Sequence, residues 1–197
     1  MIEHAAFVHV PYITTWSAEQ PLPATVVELP SGIAYADEIL ADRDDHGVLW
    51  QRMPSRPGHG RPQFGKVHSL RQRRAMRRLL CGVCGGPSDR SDLGVLWLIR
   101  DFHDDWPGWP ERMAPTEPPI CLPCAHLSVR ICPALRQGYA FVRVRHSEPA
   151  GVYGIRYQGG QGVEDAIVAF DDPTIRWTHA AQLVRELHGC TIVDLNP

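Results

Sequence analysis

The chain is nearly devoid of lysine and asparagine: Lys66 is the one lysine among 20 basic residues, and Asn196 is the one asparagine. The arginine bias fits a GC-rich coding sequence at least as well as a demand for guanidinium forks. No run of 18 apolar residues exists, which excludes a helical membrane span at the sequence level. Residues 1–10 carry Glu3, His4 and His9 where a secretory signal needs a basic start and an apolar stretch, so a cytoplasmic location and no membrane partner are expected. Net charge is also nearly missing. With 20 basic against 22 acidic residues the formal charge is −2, and affinity for nucleic acid must come from a local patch rather than from the whole surface. A Walker loop, GxSxG, HExxH and a Ser-His-Asp order are absent. What remains is ordinary globular material, 44% hydrophobic over 197 residues, enough for one core or for two small cores sharing an interface.

The strongest positive signal is in the cysteines. Cys81 and Cys84 form one CxxC pair, Cys121 and Cys124 a second, with 36 residues between them. Two thiols two residues apart can grip one ion from a tight turn, and two such pairs complete the tetrahedral sulfur set of a structural Zn²⁺ site. Redox chemistry and an iron–sulfur cluster are the alternatives, and a redox motif does not need the second pair. Gly82, Gly85 and Gly86 let the chain turn sharply around the first pair, as a knuckle requires. After the second pair Leu127, Ile131 and Leu135 recur at i+4, placing Cys121 and Cys124 on the first turn of a helix, where free N–H groups favour thiolates. Residues 95–99 between the pairs read as a buried strand. Cys132 and Cys190 lack a CxxC partner and read as buried small side chains.

Around this core the chain divides into three parts. Residues 1–66 form a β-rich lobe with extended candidates at 5–13, 25–29 and 47–50, an ambiguous segment at 33–40, and a Pro/Gly-rich linker at 54–65. Residues 67–138 form the zinc module, entered by an amphipathic helix at 68–80 with Ala75, Met76, Leu79 and Leu80 on one arc and Arg71, Arg73, Arg74, Arg77 and Arg78 on the rest. Such a crowded basic face meets solvent, intramolecular acids or an anionic partner. The proline-rich segment 101–119 offers Trp106 and Trp109 either as a cover for the core or as anchors for a partner. Residues 139–197 read as a three-stranded meander, with turns at 147–151 and 159–162, then a helix from Asp172 to Gly189 and a last strand at 190–195.

The order of knuckle, strand and CxxC-bearing helix is similar to treble-clef zinc fingers, including those of HNH nucleases. That resemblance implies His103 as a general base and His126 as a metal ligand. The chain departs from it in three ways: Phe102 separates Asp101 from His103, Ala125 separates Cys124 from His126, and the orienting asparagine is missing. The runs RQRRAMRRLLCGVCGG, DDWPGWPERM and PPICLPCAHLSVRICPALRQGY resemble a group of uncharacterised actinobacterial small zinc-binding proteins. This implies a zinc-stabilised cytosolic protein and carries over no catalytic residue.

The expectation is therefore an α+β protein with a four-cysteine treble-clef zinc core, a β-rich N-terminal lobe and a C-terminal meander plus helix. The zinc is structural. The first functional reading is a non-enzymatic binding or regulatory protein that contacts nucleic acid or an acidic protein through Arg71, Arg74 and Arg78. The alternatives are a divergent HNH-like nuclease using His103 and His126, and an accessory protein acting through Trp106 and Trp109.

Overall fold

The computed structural model describes residues 9–195; part of the extended candidate at 5–13 and Asn196 lie outside them. In chain order the elements are β1 (Thr14–Trp16), β2 (Val26–Leu29), β3 (Gly32–Tyr35), β4 (Leu49–Trp50), β5 (Pro62–Val67), α1 (Ser69–Arg78), β6 (Arg90–Ser91), β7 (Gly94–Arg100), α2 (Leu122–Ile131), β8 (Tyr139–Gln158), β9 (Gln161–Ala169) and β10 (Thr178–Val193). The class is α+β, mostly strand with two α-helices among the described residues.

One six-stranded sheet organises the molecule, in the order β4-β10-β8-β7-β6, with β9 also paired to β8. Its strands come from each of the three sequence segments. β8 runs unbroken for 20 residues: its first part pairs with β7, its last part with β9, and β10 follows its other edge from Phe141↔Val193 to Arg156↔Thr178. Gly159 and Gly160, at φ +62° and +77°, make the two-residue turn into β9, a backbone conformation that favours glycine.

β7 separates two cores by simple alternation. Val95, Trp97 and Ile99 face one cluster with Val142, Val144 and Leu187, while Leu96 faces another with Cys81, Ile120, Cys124, Ala125 and Phe141. Segment 101–119 covers the first cluster. It is tied down by bonds from Arg112 N–H to the Leu187 carbonyl (2.8 Å) and from Leu187 N–H to the Met113 carbonyl (2.9 Å). A third cluster, Val48, Trp50, Met76, Val152, Ala180 and Leu183, packs α1 against the far end of the sheet.

Two expectations are corrected here. No helix occupies 172–189: a short 3₁₀ turn, Pro173–Trp177, leads into β10. Ala180, Val184 and Leu187 are buried at a helix-like spacing because bulges between Ala180 and Gln182 and between Val184 and Arg185 interrupt the two-residue alternation of a strand. Likewise 147–151 is no turn. Pro149 and Gly151 lie inside β8 and pair with Arg185 and Val184 of β10, so the expected meander is one long strand with a single hairpin.

Candidate metal centre

Leu80 and Pro87 form an antiparallel bridge that closes a tight loop around Cys81 and Cys84, with Gly85 N–H bonded to the Cys81 carbonyl (2.8 Å) and Cys81 N–H to the Gly86 carbonyl (2.7 Å). Gly85 sits at φ +73°, and a Cβ there would come 2.9 Å from the Tyr12 ring, so conformation and space both require glycine. The hairpin β6–β7 follows. Ile120 is then held beside β7 by its N–H to the Leu96 carbonyl (2.9 Å), which delivers Cys121 as the N-cap of α2 and Cys124 to its first turn. Pro123 suits that turn, where its missing N–H would have had no partner.

The two pairs converge. The four sulfurs lie within 4.8 Å of one another, and Cys84 Sγ is 3.8 Å from Cys121 Sγ. Four sulfurs at the usual Zn–S distance on the corners of a tetrahedron are about 3.8 Å apart. The donor set therefore fits a four-coordinate thiophilic cation. Cys81 and Cys124 are buried, Cys121 is half-buried and Cys84 exposed. Burial pushes the Cys81 and Cys124 thiols up, and for Cys124 the neighbouring sulfurs push the same way. At Cys84 burial also pushes up, but the Gly86 N–H and hydrogen bonding with the other three cysteines outweigh it and hold the thiol below its ordinary value. Backbone donors contribute at Cys81 too, where the Cys84 N–H approaches Sγ at 3.5 Å. Four sulfurs so close, two of them in low dielectric, are favourable as thiolates only around a shared cation.

Several residues of this site carry no sequence signal. Residues 12–13 cap the knuckle, with Tyr12 N–H on the Val83 carbonyl (2.8 Å) and Ile13 N–H on the Gly82 carbonyl (3.2 Å). Phe141, Val193 and Leu195 wall the cluster from the last third of the chain.

The other expected site residues are scattered. Arg71 is internal: its guanidinium grips the fully buried Glu19 carboxylate with bonds of 2.6 and 2.7 Å, and also bonds the Tyr12 and Thr14 carbonyls. It offers nothing to a partner. Arg73 stacks on the Trp50 ring at 4.2 Å, and Arg77 lies 3.8 Å from Asp44, whereas Arg74 and Arg78 are exposed and form no ion pair among the described residues. Trp109 is only 8% exposed and belongs to the cluster under segment 101–119, with Trp106 half-buried against it; the core claims Trp109 because an indole in contact with Trp97 and Leu187 neighbours is worth more inside than out. His103 is exposed and bonds Asp101 (2.7 Å) after β7; His126 is on α2 with its Nε2 buried and, among the described residues, without a hydrogen-bond partner. Neither joins a group of three metal-ligating side chains, and among the described residues the four cysteines alone form one.

No protein-family model, curated protein or solved structure matches this chain, so its own geometry is the ground for assigning a role.

Proposed function

We propose that the four cysteines hold one structural Zn²⁺ in a treble-clef arrangement, and that the protein is a non-enzymatic binding protein built around that ion. The observation that carries the reading is the set of four sulfurs within 4.8 Å of one another, a spacing that one four-coordinate ion can bridge. Zinc so enclosed has no open position for water or substrate and acts by tying the knuckle to α2. The binding surface is the exposed edge of α1, now reduced to Arg74 and Arg78 with Arg77 beside them, and its partner is anionic, an acidic protein or nucleic acid. The nuclease reading is weaker: His103 contacts the Asp101 and Asp104 carboxylates, but neither it nor His126 joins a converging group of three metal ligands among the described residues.

Elemental analysis of protein purified without added metal tests the first half: one zinc per chain is expected, and Co²⁺ exchanged into the site should show the absorption of tetrahedral thiolate coordination. Protein that folds equally well after exhaustive chelation would overturn it. Fluorescence anisotropy with duplex DNA, single-stranded DNA and RNA at two salt concentrations tests nucleic acid as the partner. Binding that weakens with salt and is lost in the double variant Arg74→Glu, Arg78→Glu is the expected result if the partner is nucleic acid.

A further inference from the structure

The loop between β3 and β4 is pinned by ion pairs and yet leaves apolar side chains in water. Its charged groups are tied to one another: Arg43 holds Glu38 with bonds of 2.7 and 2.8 Å and also bonds the Ile33 and Gly47 carbonyls, while Arg52, just after β4, holds Asp37 and Asp42 together. The Asp42 carboxylate accepts the Ile39 N–H at 2.8 Å and closes the turn. Val48 anchors the loop in the core, but Ile39 and Leu40 face water, 60% and 96% exposed. A rigid loop that spends two arginines on its own acids and presents adjacent isoleucine and leucine to solvent is organised for contact before any partner arrives. The exposed Asp45 gives its rim negative charge, beside Asp37, which is 73% exposed but shares its charge with Arg52.

A complementary surface lies next to this loop on the same molecule. Leu70, 45% exposed, is followed at i+4 and i+8 by Arg74 and Arg78, which places the three on one ridge of α1. Arg73 and Arg77 of the same helix lie 4.0 and 3.8 Å from Asp44 of the loop, so the acidic apolar patch and the basic apolar patch are neighbours. Two adjacent patches of opposite charge, each with an exposed apolar centre, complement themselves under a twofold rotation. We propose that the protein forms a twofold dimer in which Leu40 and its acidic rim dock on the Leu70, Arg74 and Arg78 ridge of a second copy, and the reverse. This names the acidic partner of the arginine ridge and rests on the reading of that ridge as a binding surface.

Sedimentation or light-scattering mass measurement on the zinc-replete full chain tests it, across a concentration series and at low and high salt. A dimer is expected whose dissociation constant rises at about 0.5 M salt, where the screening length falls to about 4 Å. Leu40→Asp, at a side chain with almost no contacts to lose, should raise that constant about 30-fold or more, and Arg74→Glu with Arg78→Glu should do the same. Circular dichroism and zinc content unchanged in both variants separate loss of docking from loss of fold. A monomer at every concentration, or a dimer indifferent to both variants, overturns the proposal. A monomer that binds nucleic acid through Arg74 and Arg78 overturns the dimer while leaving the ridge as a binding surface, so the two failures are distinguishable.

Discussion

Glu19 shows how far a single carboxylate can reach. It is fully buried, yet its oxygens accept the Arg71 guanidinium and the N–H groups of Trp16 (2.8 Å) and Arg56 (2.7 Å), so the N-terminal segment, residues 54–56 and α1 meet at one side chain. Burial alone would raise its pKa; the Arg71 pairing and the two backbone donors outweigh that and hold it at about 2. The stability it supplies is present above about pH 4.5 and is lost as pH falls toward 2. Glu19→Gln leaves Arg71 buried without its counter-charge and should cost about 3–5 kcal/mol, read as a lower urea midpoint at unchanged slope. His179 acts over a different range. Burial depresses its pKa to about 4, and its Nε2 lies 2.6 Å from the Tyr35 hydroxyl. A histidine kept neutral by the fold contributes stability that is full above about pH 6.5 and is lost as pH falls to 4, on the order of 3 kcal/mol. Acid destabilisation should therefore begin near pH 6, and the loss between pH 6.5 and 4 should be smaller in His179→Gln; an identical acid limb in that variant would assign the effect to another group.

At the scale of elements, pattern reading succeeded where structure is local. The helix expected at 68–80 is α1, the strand expected at 95–99 is β7, and the CxxC pairs fall on a knuckle and a helix start because glycine, proline and cysteine spacing act over a few residues. β10 was illegible for a physical reason. Its alanine, glutamine, leucine and arginine are strong helix formers, and its two bulges place buried positions at the helical interval. What makes it a strand is position, between β8 and β4. Gln72 of α1 belongs to the same account: its amide gives a hydrogen to the Leu183 carbonyl (2.8 Å) and accepts the Leu183 N–H (2.9 Å), completing β10 as a neighbouring strand would. Gln72→Leu strands both backbone groups in the interior and should cost about 2–4 kcal/mol, with faster amide exchange confined first to residues near Leu183. Exchange spread evenly over the sheet would argue against a local role. No sequence pattern could show a contact across 111 residues.

For the whole molecule, metal and fold should stand or fall together. Cys81 and Cys124 are part of the cluster that also holds Leu96 of β7 and Phe141 of β8, so opening the sulfur site opens a wall of the central sheet. A structural zinc contributes about 10–16 kcal/mol of apparent binding energy in small fingers, comparable with the whole stability of a domain at about 5–15 kcal/mol. Chelation, or Cys121→Ser, should abolish the thermal transition rather than shift it by a few degrees, and a cooperative transition retained without metal would show that the sheet stands alone. The four-cysteine cluster was readable from spacing; its enclosure was not, because Tyr12 arrives from one end of the chain and Phe141, Val193 and Leu195 from the other.

That enclosure sets a timetable for biosynthesis. All four sulfurs have been made by residue 124, but the wall behind them runs to Leu195, 71 residues later (195 − 124), which takes roughly 4–14 s at ordinary translation rates. For those seconds the nascent chain carries a thiol cluster open on the side that β8 and β10 will close, at the mercy of whichever soft metal is most available. Ribosome-stalled chains with residues up to 138 extruded from the exit tunnel should accordingly exchange bound Cd²⁺ for Zn²⁺ much faster than the finished protein, and equal exchange rates would show that the knuckle and α2 close the site unaided.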